Sequence, residues 1–284
     1  MNKSRILLRF AKQWIAGENA IDAIYRAKVA NKQNITGLIN YLGEHSYLKE
    51  EIQKTVEEYI DLLKYIKKDD IKSNISVKPT QIGLLINERF CYENLERIVE
   101  EAYLRENFVW IDMESSQYTQ NTLKIYYSLL NHFDNAGIAI QAYLKRSEND
   151  VMDLLSKNGK IRLCKGAYKE STKIAFKSKK DIYRNYSKLM KLMFEHGKNF
   201  AIATHDDKLI NEAIDLSKSY GVMDFEFQML MGVRNNLKLK LVHKGYKLSE
   251  YIPYGKDWLP YIIRRLQERK RNILLILKSI FSQS

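Results

Sequence analysis

From residue 75 onward the chain repeats one pattern, a short apolar run followed by an amphipathic stretch. The runs are ISVKP, FVWIDM, IAIQAYL, KIRLCKG, FAIATH, FEFQML and EYIPYG. Segments 92–105, 119–135, 181–197, 207–219 and 234–245 lie between them, and their lengths suit the crossover helices of successive βα units. Such alternation predicts a parallel sheet. A closed (β/α)8 barrel and an open doubly wound sheet both satisfy it, and no GxGxxG follows the first run to favour a dinucleotide-binding half. The barrel is the preferred reading of this α/β pattern, with its eighth strand not identified.

The residues before that pattern read differently. Apolar positions at helical spacing in LLRFAKQWIAG and IQKTVEEYIDLLKYI predict helices. The expected division is a helical preface over 1–70, packed on a barrel over 71–284 that ends in a C-terminal helix. Along the barrel, most runs carry a polar or ionisable residue at or near the carboxyl end, where barrel enzymes assemble their sites. Lys78, Asp112, Gln141, Lys165, Thr204 with His205, Gln228 and Tyr251 are therefore expected to converge on one face.

With 284 residues and 45% hydrophobic content, the chain can build one large core. Cys91 and Cys164 lie far apart with no metal-ligand spacing, which argues against a disulfide framework or a zinc site and fits a reducing, cytoplasmic location. The opening MNKSRILLRFAKQW is broken by Arg5, Arg9 and Lys12 and lacks the uncharged core of a signal peptide. No apolar run reaches transmembrane length. A net charge of +13 raises nucleic acid or an anionic membrane as a partner. The lysines, however, are scattered along helical stretches, the pattern of solvated faces, so no nucleic-acid partner is expected.

Four blocks carry a resemblance. Arg162-Leu-Cys-Lys-Gly-Ala-Tyr-Lys-Glu170 resembles the RLVKGAY signature of the proline dehydrogenase family, which includes the catalytic domain of the bifunctional proline utilisation proteins. Ala203-Thr-His-Asp206 resembles its ATH block, and Phe225-Glu-Phe-Gln-Met-Leu-Met-Gly-Val-Arg234 its FEFQMLYGIR block. Tyr251-Ile-Pro-Tyr-Gly255 with Tyr261-Ile-Ile-Arg-Arg265 is similar to its C-terminal block. Order and spacing match from about residue 75 to about residue 270. Departures fall at Cys164, where a valine is common, and at Met231, where an aromatic is common; both are apolar.

The resemblance implies a distorted (β/α)8 barrel that binds FAD and oxidises L-proline to Δ1-pyrroline-5-carboxylate. Electrons pass to a quinone or to oxygen, and a separate pyrroline-5-carboxylate dehydrogenase follows. The same chemistry on hydroxyproline or another cyclic amino acid is the alternative within enzymes. A basic nucleic-acid-binding barrel without catalysis is the alternative from another class.

The resemblance also assigns residues. Arg264 and Arg265 are expected to grip the substrate carboxylate, since paired guanidiniums make bidentate bonds that lysine cannot. Glu268, one turn on, is placed to hold Arg264. Lys78 is expected as a third cation, with Asp112 as its counter-ion and candidate catalytic group. Tyr251, supported by Tyr261 and Tyr168, forms an apolar wall against the substrate ring. On the cofactor side stand Arg162 beside flavin N5, Met113 and Gln141 at the ring system, and Lys165, Gly166 and Ala167 at the pyrophosphate. Thr204 and His205 complete the phosphate and ribose contacts, and Gln228 with Glu226 is expected on the adenosine side. In the tail, Arg271-Asn-Ile-Leu-Leu-Ile-Leu-Lys-Ser-Ile-Phe281 is a short apolar helix candidate bounded by cations. It is expected to dock at the inner face of the cell membrane.

Overall fold

The structure, a computed structural model, describes residues 11–268. The strands are β1 (Thr36–Tyr41), β2 (Ser73–Val77), β3 (Val109–Ile111), β4 (Ala136–Gln141), β5 (Ile161–Cys164), β6 (Phe200–Ala203), β7 (Phe225–Leu230) and β8 (Lys247–Tyr254). They run parallel and close in sequence order, with β1 paired to both β2 and β8 and Leu38 opposite Tyr251. The fold is a (β/α)8 barrel. Around it lie α1 (Ala20–Asn31), α2 (Lys49–Lys68), α3 (Glu88–Leu104), α4 (Thr119–Leu130), α5 (Ser147–Ser156), α6 (Lys179–His196), α7 (Asp207–Tyr220), α8 (Asn235–His243) and α9 (Trp258–Glu268). The side chains of Asn19, Asn87, Ser178 and Asp206 cap α1, α3, α6 and α7 by accepting from first-turn N–H groups.

The strand missing from the sequence reading is β1, and it lies inside the stretch expected to be a helical preface. Gly37 and Asn40 interrupt its apolar character, so its own propensity is weak. Pairing on both sides supplies what propensity does not, and Asn40 is satisfied in place by donating to Ser76 O at 2.8 Å. It follows that α2, also expected in the preface, is the crossover from β1 to β2. The short α5 is a further element that periodicity did not reveal.

Side chains alternate across these strands, and the two sets differ sharply. Ile39, Ile75, Val77, Val109, Ile111, Ile138, Ile140, Ile161, Leu163, Phe200, Ile202 and Phe227 belong to one large buried cluster with the helices. The core therefore lies between barrel and helices. The opposite set is largely polar, with Asn40, Ser76, Asp112, Arg162, Gln228 and Ser249 among the alternate positions. Its apolar floor is a small cluster of Leu38, Trp110 and Ala201, with Tyr251 packed against it. Glu250 faces outward, and there Arg26 of α1 and Lys238 of α8 neutralise it.

A second small cluster seats α9. Trp258, Tyr261 and Ile262 pack with Trp14 and Ile15, with Leu42 just beyond β1 and with Val233 beyond β7. Leu42 and Val233 follow strand carboxyl ends, so α9 lies beside that mouth of the barrel. Among the described residues no helix is long and apolar enough to cross a membrane. The tail helix expected at 271–281 lies outside the described residues.

Candidate active site

Asp112 follows β3 with both carboxylate oxygens occupied. Oδ1 accepts from Ser76 Oγ at 2.7 Å and from an Arg162 guanidinium N–H, while Oδ2 accepts from Tyr251 OH at 2.8 Å and from Lys78 Nζ at 3.3 Å. Lys78 Nζ also donates to Asn40 Oδ1 at 2.9 Å. Residues at β2, β3, β5 and β8 thus meet at one carboxylate, with Asn40 of β1 joined to it through Lys78. Burial pushes that carboxyl up, but Arg162 and Lys78 beside it, helped by the Ser76 and Tyr251 hydrogen bonds, hold it down at about 2. Two cations share one anion, so the cluster carries excess positive charge and is suited to an anionic ligand.

Beneath this hub the polar column continues. The Arg162 guanidinium lies 5.3 Å from the centre of the Trp110 ring, and its other terminal nitrogen donates to Gln228 Oε1 at 3.4 Å. Gln228 in turn donates to Glu226, whose second oxygen accepts from Ser249 Oγ at 2.6 Å. Glu226 was expected on the adenosine side. It instead lines a cavity of about 260 Å³ with Asn74, Phe108, Lys160 and Lys247, all at or before the amino ends of their strands. The reason is the two-residue period: Glu226 sits one layer below Gln228 on β7, so it supports Gln228 and, through it, Arg162. Burial raises its carboxyl.

On α9, Arg264 makes a bidentate pair with Glu44, Nη1 to Oε2 at 3.0 Å and Nη2 to Oε1 at 2.6 Å. Its guanidinium lies 5.5 Å from the Tyr168 ring centre. Burial lowers the pKa of Arg264, but the Glu44 hydrogen bonds and charge outweigh it and the net direction is up. Arg265 lies 5.3 Å from the ring centre of buried Tyr261, which is near enough to Tyr251 to raise that hydroxyl further. The side chain of Glu268 lies outside the described residues. Glu44, from the loop after β1, is the carboxylate seen to grip Arg264.

The ends of β4, β5 and β6 form a second, more open group. Gln141 is buried and donates to Met113 O at 2.9 Å and Glu114 O at 3.1 Å, while its own Oε1 is buried with no hydrogen-bond partner among the described residues. Gly166 has φ +100°, and a Cβ there would lie 2.2 Å from the Tyr143 ring, so only glycine fits. Lys165 pairs with Asp206 at 2.8 Å, Ala167 is exposed, and buried Thr204 accepts from Asp206 N at 3.2 Å. His205 accepts from Leu230 N through Nε2 at 2.9 Å, which ties its ring to β7. Burial pushes the Cys164 thiol up to about 11, which keeps it protonated and disfavours the thiolate.

Sequence reasoning missed Asn40, Glu44, Ser76 and Glu114. Ser76 could have been found, since it precedes Lys78 by two residues and shares its face. Asn40 and Glu44 went unseen with β1. Glu114 is buried within the FVWIDM–Glu block and accepts from Thr80 N at 2.9 Å and Thr80 Oγ1 at 2.6 Å.

Comparison with known proteins places the chain in a family. The family described as Proline dehydrogenase matches residues 23–273. Proline dehydrogenase 2 of Bacillus subtilis is 37% identical over 291 residues, covering 99% of this chain and 96% of that protein. Proline dehydrogenase of Deinococcus radiodurans is 30% identical over 277 residues, covering 95% and 89%. Among solved structures, proline utilization A from Bdellovibrio bacteriovorus, inactivated by N-propargylglycine, superposes with a TM-score of 0.89 at 24% identity, a likeness of fold. The match covers 99% of this chain but 35% of that longer one. On the family match and the near full-length relatives, the chain belongs to the proline dehydrogenase family of oxidoreductases.

Proposed function

We propose that this protein oxidises L-proline to Δ1-pyrroline-5-carboxylate with FAD as its cofactor, the first step of proline catabolism to glutamate. In that reaction the ring carbon beside nitrogen gives up a hydride, the nitrogen loses a proton, and a C=N bond forms. Bound FAD supplies the two-electron acceptor. The observation that carries the reading is the concentration of Lys78, Arg162 and Arg264 around one barrel mouth, in a chain of this family.

The substrate carboxylate is an anion, and the hub's excess positive charge would draw it in. Arg264 and Arg265 would hold it, with Glu44 fixing the plane of the Arg264 fork. Tyr251, Tyr261 and Tyr168 would wall the ring. Asp112, held at about 2 with four donors on its two oxygens, is a poor proton acceptor. Its role is to orient Arg162 and Lys78, and the amine proton leaves to solvent.

The residues present fit a flavin. Gln141 offers a buried acceptor without a partner among the described residues, which a ring N–H would satisfy, and Arg162 is a buried cation suited to a ring that gains negative charge on reduction. The glycine-only backbone at Gly166, with Lys165, Ala167, Thr204 and His205, would hold the pyrophosphate and ribose. Purified protein is expected to be yellow, with absorbance bands that bleach on adding L-proline and respond less to hydroxyproline. A colourless protein, or a flavin that proline leaves oxidised, would overturn the reading.

Electrons then pass to a quinone or to oxygen, and the product to a separate pyrroline-5-carboxylate dehydrogenase. The protein would work in the cytoplasm, with residues 271–284 resting on the inner face of the membrane. Co-sedimentation with anionic liposomes should fall when 271–284 are deleted; unchanged binding would remove the tail from the account.

A further inference from the structure

The proposed carboxylate clamp depends on a loop, and the loop is hung on a buried carboxyl that lies outside the clamp. Glu44 reaches Arg264 from the segment between β1 and α2. That segment has little regular structure of its own. Gly43 has φ +152°, and a Cβ there would meet Gln81 Nε2 at 2.9 Å; His45 is left-handed at φ 59°, uncommon for a residue with a side chain. Such backbone persists only where its surroundings hold it.

What holds it is the turn Pro79–Gln81. Thr80 Oγ1 accepts from His45 N at 3.2 Å, Thr80 O accepts from Ser46 N at 3.2 Å, and Gln81 Nε2 donates to Tyr41 O at 3.1 Å. Thr80 is itself fully buried, and its N–H and hydroxyl both donate to Glu114. The hydroxyl therefore links Glu114 on one side to the His45 amide on the other. Glu114 is fixed from the opposite direction by Gln141, which donates to its carbonyl at 3.1 Å.

We propose that Glu114 is a positioning residue for the substrate clamp: through Thr80 it sets the 43–46 loop so that Glu44 meets Arg264. The inference rests on the proposed function for the identity of the ligand, but the anchoring itself does not.

Ionisation bears on this anchor. Burial raises the Glu114 carboxyl to about 7, against the opposing pull of the Thr80 donors and of Lys78, while Glu44 adds to the rise. Cys91 of α3, Tyr118 and Tyr168 also face it; burial raises all three, and the Glu114 charge adds to the rise. Above about 7 both oxygens accept from Thr80. Below it one oxygen carries a proton and competes with the Thr80 hydroxyl for the same hydrogen-bond position, so the loop is held less firmly.

Thr80→Val keeps the shape and the Thr80 N–H while removing the hydroxyl. It should raise KM for proline about tenfold, the worth of one charge-assisted hydrogen bond, with kcat within about twofold and flavin content unchanged. In a Glu44→Gln background the same change should add nothing, because the loop then has no carboxylate to position. Thr80→Ser should restore the wild-type value. In the wild type KM should rise as pH falls through about 7, and Glu114→Gln should remove that step. Equal effects of Thr80→Val in both backgrounds, or a step that survives Glu114→Gln, would overturn the proposal. Amide exchange at His45 and Ser46 tests the anchor whatever the substrate. It should quicken in Thr80→Val, and unchanged exchange would overturn the anchor. The wild-type rate with proline separately tests the proposed function.

Discussion

Asp112 and Asp206 both lie just beyond strands of the same barrel and both pair with a cation, yet they sit in different electrical media. The Asp112 side chain is 15% exposed and its partners Arg162 and Lys78 are 5% and 8% exposed; Asp206 and Lys165 are 33% and 42% exposed. A partly wetted pair is screened and contributes little, about 0–1 kcal/mol. A buried pair is different, because removing one member strands the other's charge in a medium that cannot solvate it. The barrel thus has a dry half around β1, β2, β3 and β8, reached from β5 by Arg162 and built to hold charge in fixed positions. Its wetter rim at β5 and β6 offers backbone and a replaceable ion pair.

The largest test of that contrast is a matched pair of truncations. Asp112→Ala leaves Arg162 and Lys78 without their shared anion and should cost about 3–5 kcal/mol of folding stability. The same loss in the transition state would lower kcat/KM for proline by roughly a thousandfold. Asp206→Ala removes the α7 N-cap along with the Lys165 pair, so it should cost about 1–2 kcal/mol and leave kcat/KM within a few-fold. Urea unfolding and steady-state kinetics on both variants measure this. If the two substitutions cost the same, the dry half is not dry.

Arg265→Lys probes the edge of the dry half, where α9 meets the mouth. Lysine keeps the charge but loses the planar fork, so KM for proline should rise by about tenfold or somewhat more while flavin content stays as in the wild type. Loss of flavin with little change in KM would assign this arginine to the cofactor and move the boundary between the two halves.

How much of this was legible follows the same boundary. The strands β2 to β8 were readable because their outward set is mostly Ile, Val, Leu and Phe, and their polar ends were readable as a converging set. The dry half was read only in part. Lys78, Asp112 and Tyr251 stand on visible strands, whereas Asn40 and Glu44 stand on or just after β1, where Gly37 and Asn40 hide the strand from any pattern of hydrophobicity. A residue's partner across the barrel is also invisible to local spacing. Glu268 at i+4 is the local mate expected for Arg264 and its side chain lies outside the described residues; the contact seen is with Glu44, 220 positions away. Glu226 was misplaced for a simpler reason, because period two fixes a residue's face but not its height along the barrel axis.

The smallest effect belongs to the rim. Lys165 is committed to Asp206 at 2.8 Å, so an incoming pyrophosphate would have to compete with a carboxylate for it. Its net contribution to holding the cofactor is the difference between two screened pairs, which is below about 1 kcal/mol, or less than about fivefold in affinity. Lys165→Ala should therefore weaken flavin retention only slightly, and the weakening should shrink as salt is raised, since both pairs lie within reach of counter-ions. Asp206→Ala should do the opposite and tighten retention by a similar small factor, because it frees the lysine. Fluorescence titration of apoprotein with FAD at low and high ionic strength distinguishes the two. A large, salt-insensitive loss in Lys165→Ala would mean that this lysine leaves Asp206 and becomes buried against the bound cofactor, and the rim would then join the dry half.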